Sequence, residues 1–190
     1  MRQRRKKHLE ERLDGCGELL LQLHSTELRH DAPDDGSQRL DLAALFGGEG
    51  ETHLEIGCGK GNFACGMAKK YPDVNFIAVE RVADVCCIAL EKAKAAAEER
   101  ESDNLRFLIG DAKILAENVA PHSLDCIYLN FSDPWPKKGY ESRRLTAPDF
   151  LKLYEHLLAD GGYFRFKTDN VSLFEYSLET VGASPFEITF

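Results

Sequence analysis

Long apolar runs are missing from this chain. Its most apolar stretches, such as GELLLQL (residues 17–23), fall far short of the ~20 residues that a membrane-spanning helix needs, so no membrane association is expected. The basic opening MRQRRKKH runs into LEERLDG rather than into an apolar segment, so no secretory leader is read there. The six cysteines form no CxxC pair and no zinc-ligand spacing, and Cys86 and Cys87 are adjacent, which suits a disulfide framework poorly. They read as reduced thiols of a cytoplasmic protein, most of them small core residues, with no metal expected. Positive charge is scarce as well: 24 Lys and Arg stand against 32 Asp and Glu, a net charge of -8. A nucleic-acid partner is therefore expected only where cations are concentrated locally. Tryptophan is nearly absent, and the single one, Trp135, lies in NFSDPWPKKGYESRRL (130–145), between an acid and a basic cluster.

A chain of 190 residues without internal repeats suggests one domain with a substantial core. Residues 1–50 read as a basic extension and loop: a tip with five Lys and Arg, an amphipathic piece HLEERLDGCGELLLQL, and a polar stretch HDAPDDGSQRLD. From residue 51 to 190 the pattern becomes regular. THLEIG, NFIAVE, LRFLIG, LDCIYLNF and YFRFKTD read as strands, and FEITF begins a sixth. Between them lie helical stretches: KGNFACGMAKKYP, ADVCCIALEKAKAAAEERE, a short one through Ala116, APDFLKLYEHLLADGG closed by its glycines, and VSLFEYSLETV. This alternation implies βαβ units, hence an α/β, Rossmann-like, mostly parallel doubly wound sheet with helices on both faces. Such sheets bind ligands beyond the carboxyl ends of their strands.

The polar residues of interest sit at those ends. Strand one ends as Glu55-Ile56-Gly57-Cys58-Gly59-Lys60-Gly61, where glycines allow a tight turn and close approach of a ligand. A dinucleotide fingerprint would need glycine at position 62, which is Asn62, and Glu55 would repel a pyrophosphate. A cofactor with a cationic amino-acid end would welcome that carboxylate, so the pattern points to S-adenosyl-L-methionine rather than NAD. Glu80 ends strand two, where it can accept both ribose hydroxyls of an adenosine. Asp111, with Ala112 after it, ends strand three and either accepts from an adenine amino group or caps the next helix. Asp133 follows strand four, in a loop stiffened by Pro134 and Pro136. Trp135 either stacks on a base or anchors the core. Lys137, Lys138, Arg143 and Arg144 can neutralise phosphates, and Thr168 and Asp169 add a polar cluster after strand five.

Taken together, Glu55 with GxGxG, the DPWPKK loop with RRL behind it, and KTD at strand five resemble the bacterial tRNA (guanine-N7-)-methyltransferase family, from the N-terminus to about Ser177. The glycine motif is shared by class I methyltransferases at large, and the strand-four loop is the specific part. The resemblance implies a class I methyltransferase fold and transfer of a methyl group from S-adenosyl-L-methionine to guanine N7 in the tRNA variable loop. It implies cofactor contacts at Glu55, Glu80, Asp111 and Asp133, substrate contacts at Lys137 and Asp169, and an RNA-contacting loop over Gly139–Arg144. Asp133 is the catalytic candidate, and the protein is expected as a monomer or homodimer. Members of that family continue to a T-x-[FY]-E motif, so a chain ending at Phe190 is expected to lack the C-terminal end. A methyltransferase acting on a small molecule or another RNA site shares the glycine turn and the three acids and is set apart by the DPWPKK-RR loop. A non-catalytic RNA-binding relative is set apart by the intact Glu55 and Asp133.

Overall fold

The computed structural model describes residues 7–21, 39–97 and 103–189. Most of the basic tip and of the polar stretch HDAPDDGSQRLD therefore lies outside the described residues. Five strands form one sheet: β1 (Thr52–Ile56), β2 (Asn75–Glu80), β3 (Leu105–Ile109), β4 (Leu124–Asn130) and β5 (Leu158–Lys167). Their order is β3-β2-β1-β4-β5 and every pairing is parallel.

Parallel strands are covered on both faces where they lie inside a sheet. β1 to β4 are almost wholly buried, whereas β5 at the edge alternates, with Tyr163, Arg165 and Lys167 exposed. Alternate residues divide between two clusters. Leu54, Ile77, Val79, Ile127 and Leu129 pack on one side, and Phe76, Ala78, Phe107, Cys126 and Tyr128 on the other. The first side is closed by α5 (Leu115–Asn118), α6 (Pro148–Leu157) and α7 (Val171–Gly182), with α2 (Leu42–Phe46) against it. The second is closed by α3 (Asn62–Lys70) and α4 (Ala83–Ala95), with α1 (Leu9–Asp14) packed on α4 through the paired Arg12 and Glu91. The N-terminal segment thus reaches the sheet: Leu21 N–H donates to Phe107 O at 2.7 Å along the outer edge of β3. None of the six cysteines forms a disulfide, and five are buried.

Three boundaries differ from the sequence reading. The helix over APDFLKLYEHLLADGG ends at Leu157, and Leu158 already pairs with Leu124 in the sheet. Between Leu158 and Tyr163 the strand bulges, with Gly161 at φ 80°, before Tyr163 pairs with Cys126. The glycines therefore serve a register shift inside β5 rather than a helix end. FEITF forms no strand over its described residues 186–189. Phe186 instead sets its ring edge-on against Phe164 at 5.0 Å.

Gly61 fixes how closely α3 and α4 approach. It caps α3 at φ 72°, and a Cβ there would lie 2.7 Å from that of Ala89. Gly61→Ala is expected to lower the free energy of unfolding by about 1–3 kcal/mol, read as a lower urea midpoint with an unchanged slope.

Candidate active site

The carboxyl ends of β1, β2, β3 and β4 open on one cleft of about 650 Å³, within the range of small-molecule sites. The sheet order explains its place. The chain leaves β1 toward β2 and later returns to lay β4 on the other side of β1, so the loops after these two strands diverge.

Gly57, Glu80, Asp111, Ala112, Asp133 and Arg143 all line this cleft. The glycine loop is drawn tightly over the sheet. Gly57, Gly59 and Gly61 all have positive φ, and the N–H groups of Gly57 and Cys58 both donate to Val79 O at 2.8 and 3.0 Å. Glu80 holds this loop in place: its Oε2 accepts from Gly59 N–H at 3.0 Å and its Oε1 from Val82 N–H at 2.8 Å. Each oxygen keeps a further lone pair for a ligand hydroxyl. Asp111 takes up the capping alternative, since its Oδ1 accepts from Lys113 N–H at 3.1 Å while the side chain stays exposed at the cleft.

Glu55, on β1 just before the glycine loop, is 5% exposed and does not itself line the cleft. Its Oε1 accepts from Asn130 Nδ2 at 3.1 Å, and its Oε2 has no hydrogen-bond partner among the described residues. Loss of solvent pushes its pKa up to about 7; the Asn130 amide and Ala64 N–H pull the other way, and nearby Glu80 adds to the rise. A buried carboxylate oxygen without a donor, beside a loop of positive-φ glycines, fits a cofactor that presents a cationic group to it. Asn130 was not among the residues singled out from the sequence. Register alone reveals it: Glu55 pairs with Tyr128, so Asn130 falls on the same face two residues on.

The loop after β4 is strained. Phe131 and Trp135 adopt left-handed backbone at φ 51° and 43°, a conformation costing about 1–3 kcal/mol each in non-glycine residues. Trp135 is half-buried and belongs to neither apolar cluster. It lines the cleft, edge-on to Tyr140 at 5.9 Å, with the guanidinium of Arg143 at 5.0 Å and that of Arg81 at 6.0 Å from its ring centre. Arg81 is a further cleft cation, unremarked in the sequence because it follows β2 alone, without a cluster.

The four cations after Asp133 do not share one environment. Lys137, Lys138 and Arg143 are exposed, along the 3₁₀ turn Lys138–Arg143. Arg144, by contrast, is 9% exposed, and its guanidinium donates inward to Pro134 O and Trp135 O. The sequence groups it with Arg143 as a cation for phosphates. The structure turns it to the interior, because residues adjacent in this turn point in different directions. Thr168 and Asp169 follow β5, next to the β4 exit through Phe131 N–H to Lys167 O at 2.8 Å, and do not line the cleft. Among the described residues no group of His, Cys, Asp and Glu could hold a metal ion, and no helix is long and apolar enough to cross a membrane.

Comparisons with known proteins bear on the family and the fold. A family model described as "Putative methyltransferase" matches residues 49–189. tRNA (guanine-N(7)-)-methyltransferases from Listeria innocua, Listeria monocytogenes and Bacillus subtilis are 49%, 48% and 46% identical to the chain, over 77%, 77% and 72% of its length. The aligned part is 66%, 66% and 62% of those proteins, so the chain spans just under two thirds of the length of the first two. Among solved structures, the antibiotic-resistance methyltransferase Kmr superposes with a TM-score of 0.57 at 19% identity, covering 79% of this chain and 85% of that one. An antibiotic-related methyltransferase superposes at 0.54 with 20% identity, over 80% and 75% of the two chains. At those identities the likeness speaks for the fold, an α/β methyltransferase fold. With three quarters of its length under the family model and relatives nearly half identical to it, the chain belongs to the methyltransferase family that includes the bacterial tRNA (guanine-N7-)-methyltransferases.

Proposed function

We propose that this chain carries the catalytic domain of an enzyme that methylates guanine N7 in the variable loop of tRNA, with S-adenosyl-L-methionine as donor. The observation that carries this reading is the strained Asp133-Pro134-Trp135-Pro136 loop, which sets an acid and an aromatic ring at the mouth of the cleft with three exposed cations beyond it. A small-molecule methyltransferase has no need of that cation set. The relatives named above support the same substrate.

The cofactor supplies an electrophilic methyl group on a sulfonium. Glu55 and the glycine loop would hold its amino-acid end, Glu80 its ribose, and Ala112, with the Asp111 carboxylate oxygen not engaged in the cap, its adenine. Guanine N7 presents an in-plane lone pair and no proton, so the site needs no strong base. Its work is alignment and electrostatics. Asp133, exposed at the cleft, would act as an anion that orients the guanine and stabilises the positive charge growing on the ring. Trp135 offers a face for stacking, Lys137, Lys138 and Arg143 would contact phosphates, and Thr168 with Asp169 would bound the substrate on the β5 side. An acidic protein can bind RNA in this way because attraction is confined to one rim.

Methyl transfer to unmodified tRNA, with identification of the methylated base, tests the reading directly; transfer to small acceptors only would overturn it. Asp133→Asn is expected to lower kcat by roughly 10²-fold with a smaller change in cofactor affinity, measured by single-turnover methylation and calorimetry. Lys137→Ala and Arg143→Ala are each expected to weaken tRNA binding and to reduce the slope of log K against log salt by about 1, read by titration at several ionic strengths.

Glu55 yields a pH prediction. Its carboxyl titrates near 7 in the folded protein and lower when unfolded. Between those values the folded state holds the extra proton, so stability falls as pH rises and the penalty is complete above about 7. Without cofactor, Glu55→Gln should melt higher than the parent at pH 8 and close to it at pH 4, in calorimetry or fluorescence melts. Binding of a cationic ligand, by contrast, should tighten as pH rises through 7 in the parent and not in the variant.

A further inference from the structure

We propose that Arg144 is a positioning residue: with Tyr176, and with the Thr146–Ser177 pair beside it, it clamps the tryptophan loop to α7 and so sets the spacing between the two banks of the substrate site. The kinetic part of this inference rests on the function proposed above; the structural part does not.

Arg143 and Arg144 are adjacent in sequence and opposite in fate. Arg143 lies exposed with its guanidinium over Trp135 and Tyr140, at 5.0 and 4.6 Å from their ring centres. Arg144 is buried, its Nε donating to Pro134 O at 3.0 Å and its Nη2 to Trp135 O at 3.1 Å. Two successive carbonyls in a bent, proline-flanked loop have no strand or helix to pair with, and a planar guanidinium is the side chain whose fixed fork can serve both. The same group lies 4.2 Å from the ring centre of Tyr176 on α7, with Glu141 Oε1 at 3.8 Å. Burying a cation is costly unless it is hydrogen-bonded, and here carbonyls, an aromatic face and a carboxylate together compensate. To reach a phosphate, Arg144 would have to abandon both carbonyls, including that of Trp135, a residue held at φ 43°.

The clamp has a second point. Thr146 Oγ1 and Ser177 Oγ are hydrogen-bonded at 2.7 Å in a buried contact, and Ser177 Oγ also reaches Leu173 O at 2.7 Å. Tyr176 and Ser177 therefore fix the chain on both sides of Leu145. The other end of α7 is fixed to β5: Asn170 caps it by accepting from Leu173 N–H at 2.8 Å, directly after Thr168 and Asp169. One short helix thus connects Asp169 at its start to the Asp133–Trp135 loop at its middle. Alignment of a nucleobase between these two banks depends on that connection, and errors near 1 Å cost on the order of 10²-fold in rate.

The clamp can be read without turnover because Trp135 is the only tryptophan. In the full chain, Arg144→Lys and Tyr176→Leu should each raise acrylamide quenching of Trp135 and shift its emission to the red. The same variants should lower kcat at saturating tRNA by roughly 10- to 100-fold while KM for tRNA changes little. Arg144→Ala should leave the salt slope of tRNA binding unchanged, in contrast to Arg143→Ala. Lysine keeps the charge but loses the fork, so failure of Arg144→Lys to rescue is the expected result. The proposal is overturned if Arg144→Lys restores kcat and parental quenching, or if Arg144→Ala lowers the salt slope as Arg143→Ala does; either would make Arg144 a phosphate contact. Should Arg144→Ala not fold, the lysine and Tyr176→Leu variants decide by quenching. If the parent methylates no tRNA, the proposed function fails while quenching still tests the clamp.

Discussion

The parallel pairing of β1 with β4 is the constraint from which the site follows. These strands lie side by side but are separated in sequence by two βα units that occupy the other half of the sheet. Their exits must diverge, and a cleft opens between them. Register then does the finer work. With His53 opposite Cys126 and Glu55 opposite Tyr128, Asn130 comes to lie on the face of Glu55 and donates to it. A shift of one residue would turn Asn130 to the opposite face and leave Glu55 with neither oxygen bonded by a side chain.

The site is built from groups that are costly to hold. A carboxyl is buried just before the glycine loop, an arginine is buried beneath the tryptophan loop, and Phe131 and Trp135 occupy left-handed backbone. The offsets come from different elements: Asn130 on β4 for Glu55, Tyr176 on α7 for Arg144, the Lys167 carbonyl on β5 for Phe131, and Arg144 itself for the Trp135 carbonyl. Strain gathers where the chain must present groups outward instead of packing them, while the two apolar clusters on either face of the sheet supply the stability that tolerates it.

Much of the architecture was legible because parallel strands announce themselves. The middles of NFIAVE and LDCIYLN, FIAV and CIYL, are apolar because both faces of these strands are covered. THLEI, though it carries Thr52, His53 and Glu55, is marked by the glycines that follow it. The weaker readings share one cause. Leu158 could extend the periodicity of α6 or begin a strand, and only its partner Leu124 decides between them. FEITF has the composition of a strand, yet Phe186 packs by its side chain on Phe164 and the described residues 186–189 join no ladder. Propensity is local, whereas a strand exists only through its neighbour.

The amino-acid sequence alone determined the alternation of strands and helices, the positions of the strand-end acids and glycines, and the loop motif that marks the family, because these depend on residue type and short spacing. Tertiary structure alone decided which of two neighbouring arginines faces water, which amide reaches Glu55, and that Asp111 caps a helix while bordering the cleft. Those outcomes depend on pairing register and on the direction in which a side chain leaves its turn, and both are set by contacts between residues far apart in the chain.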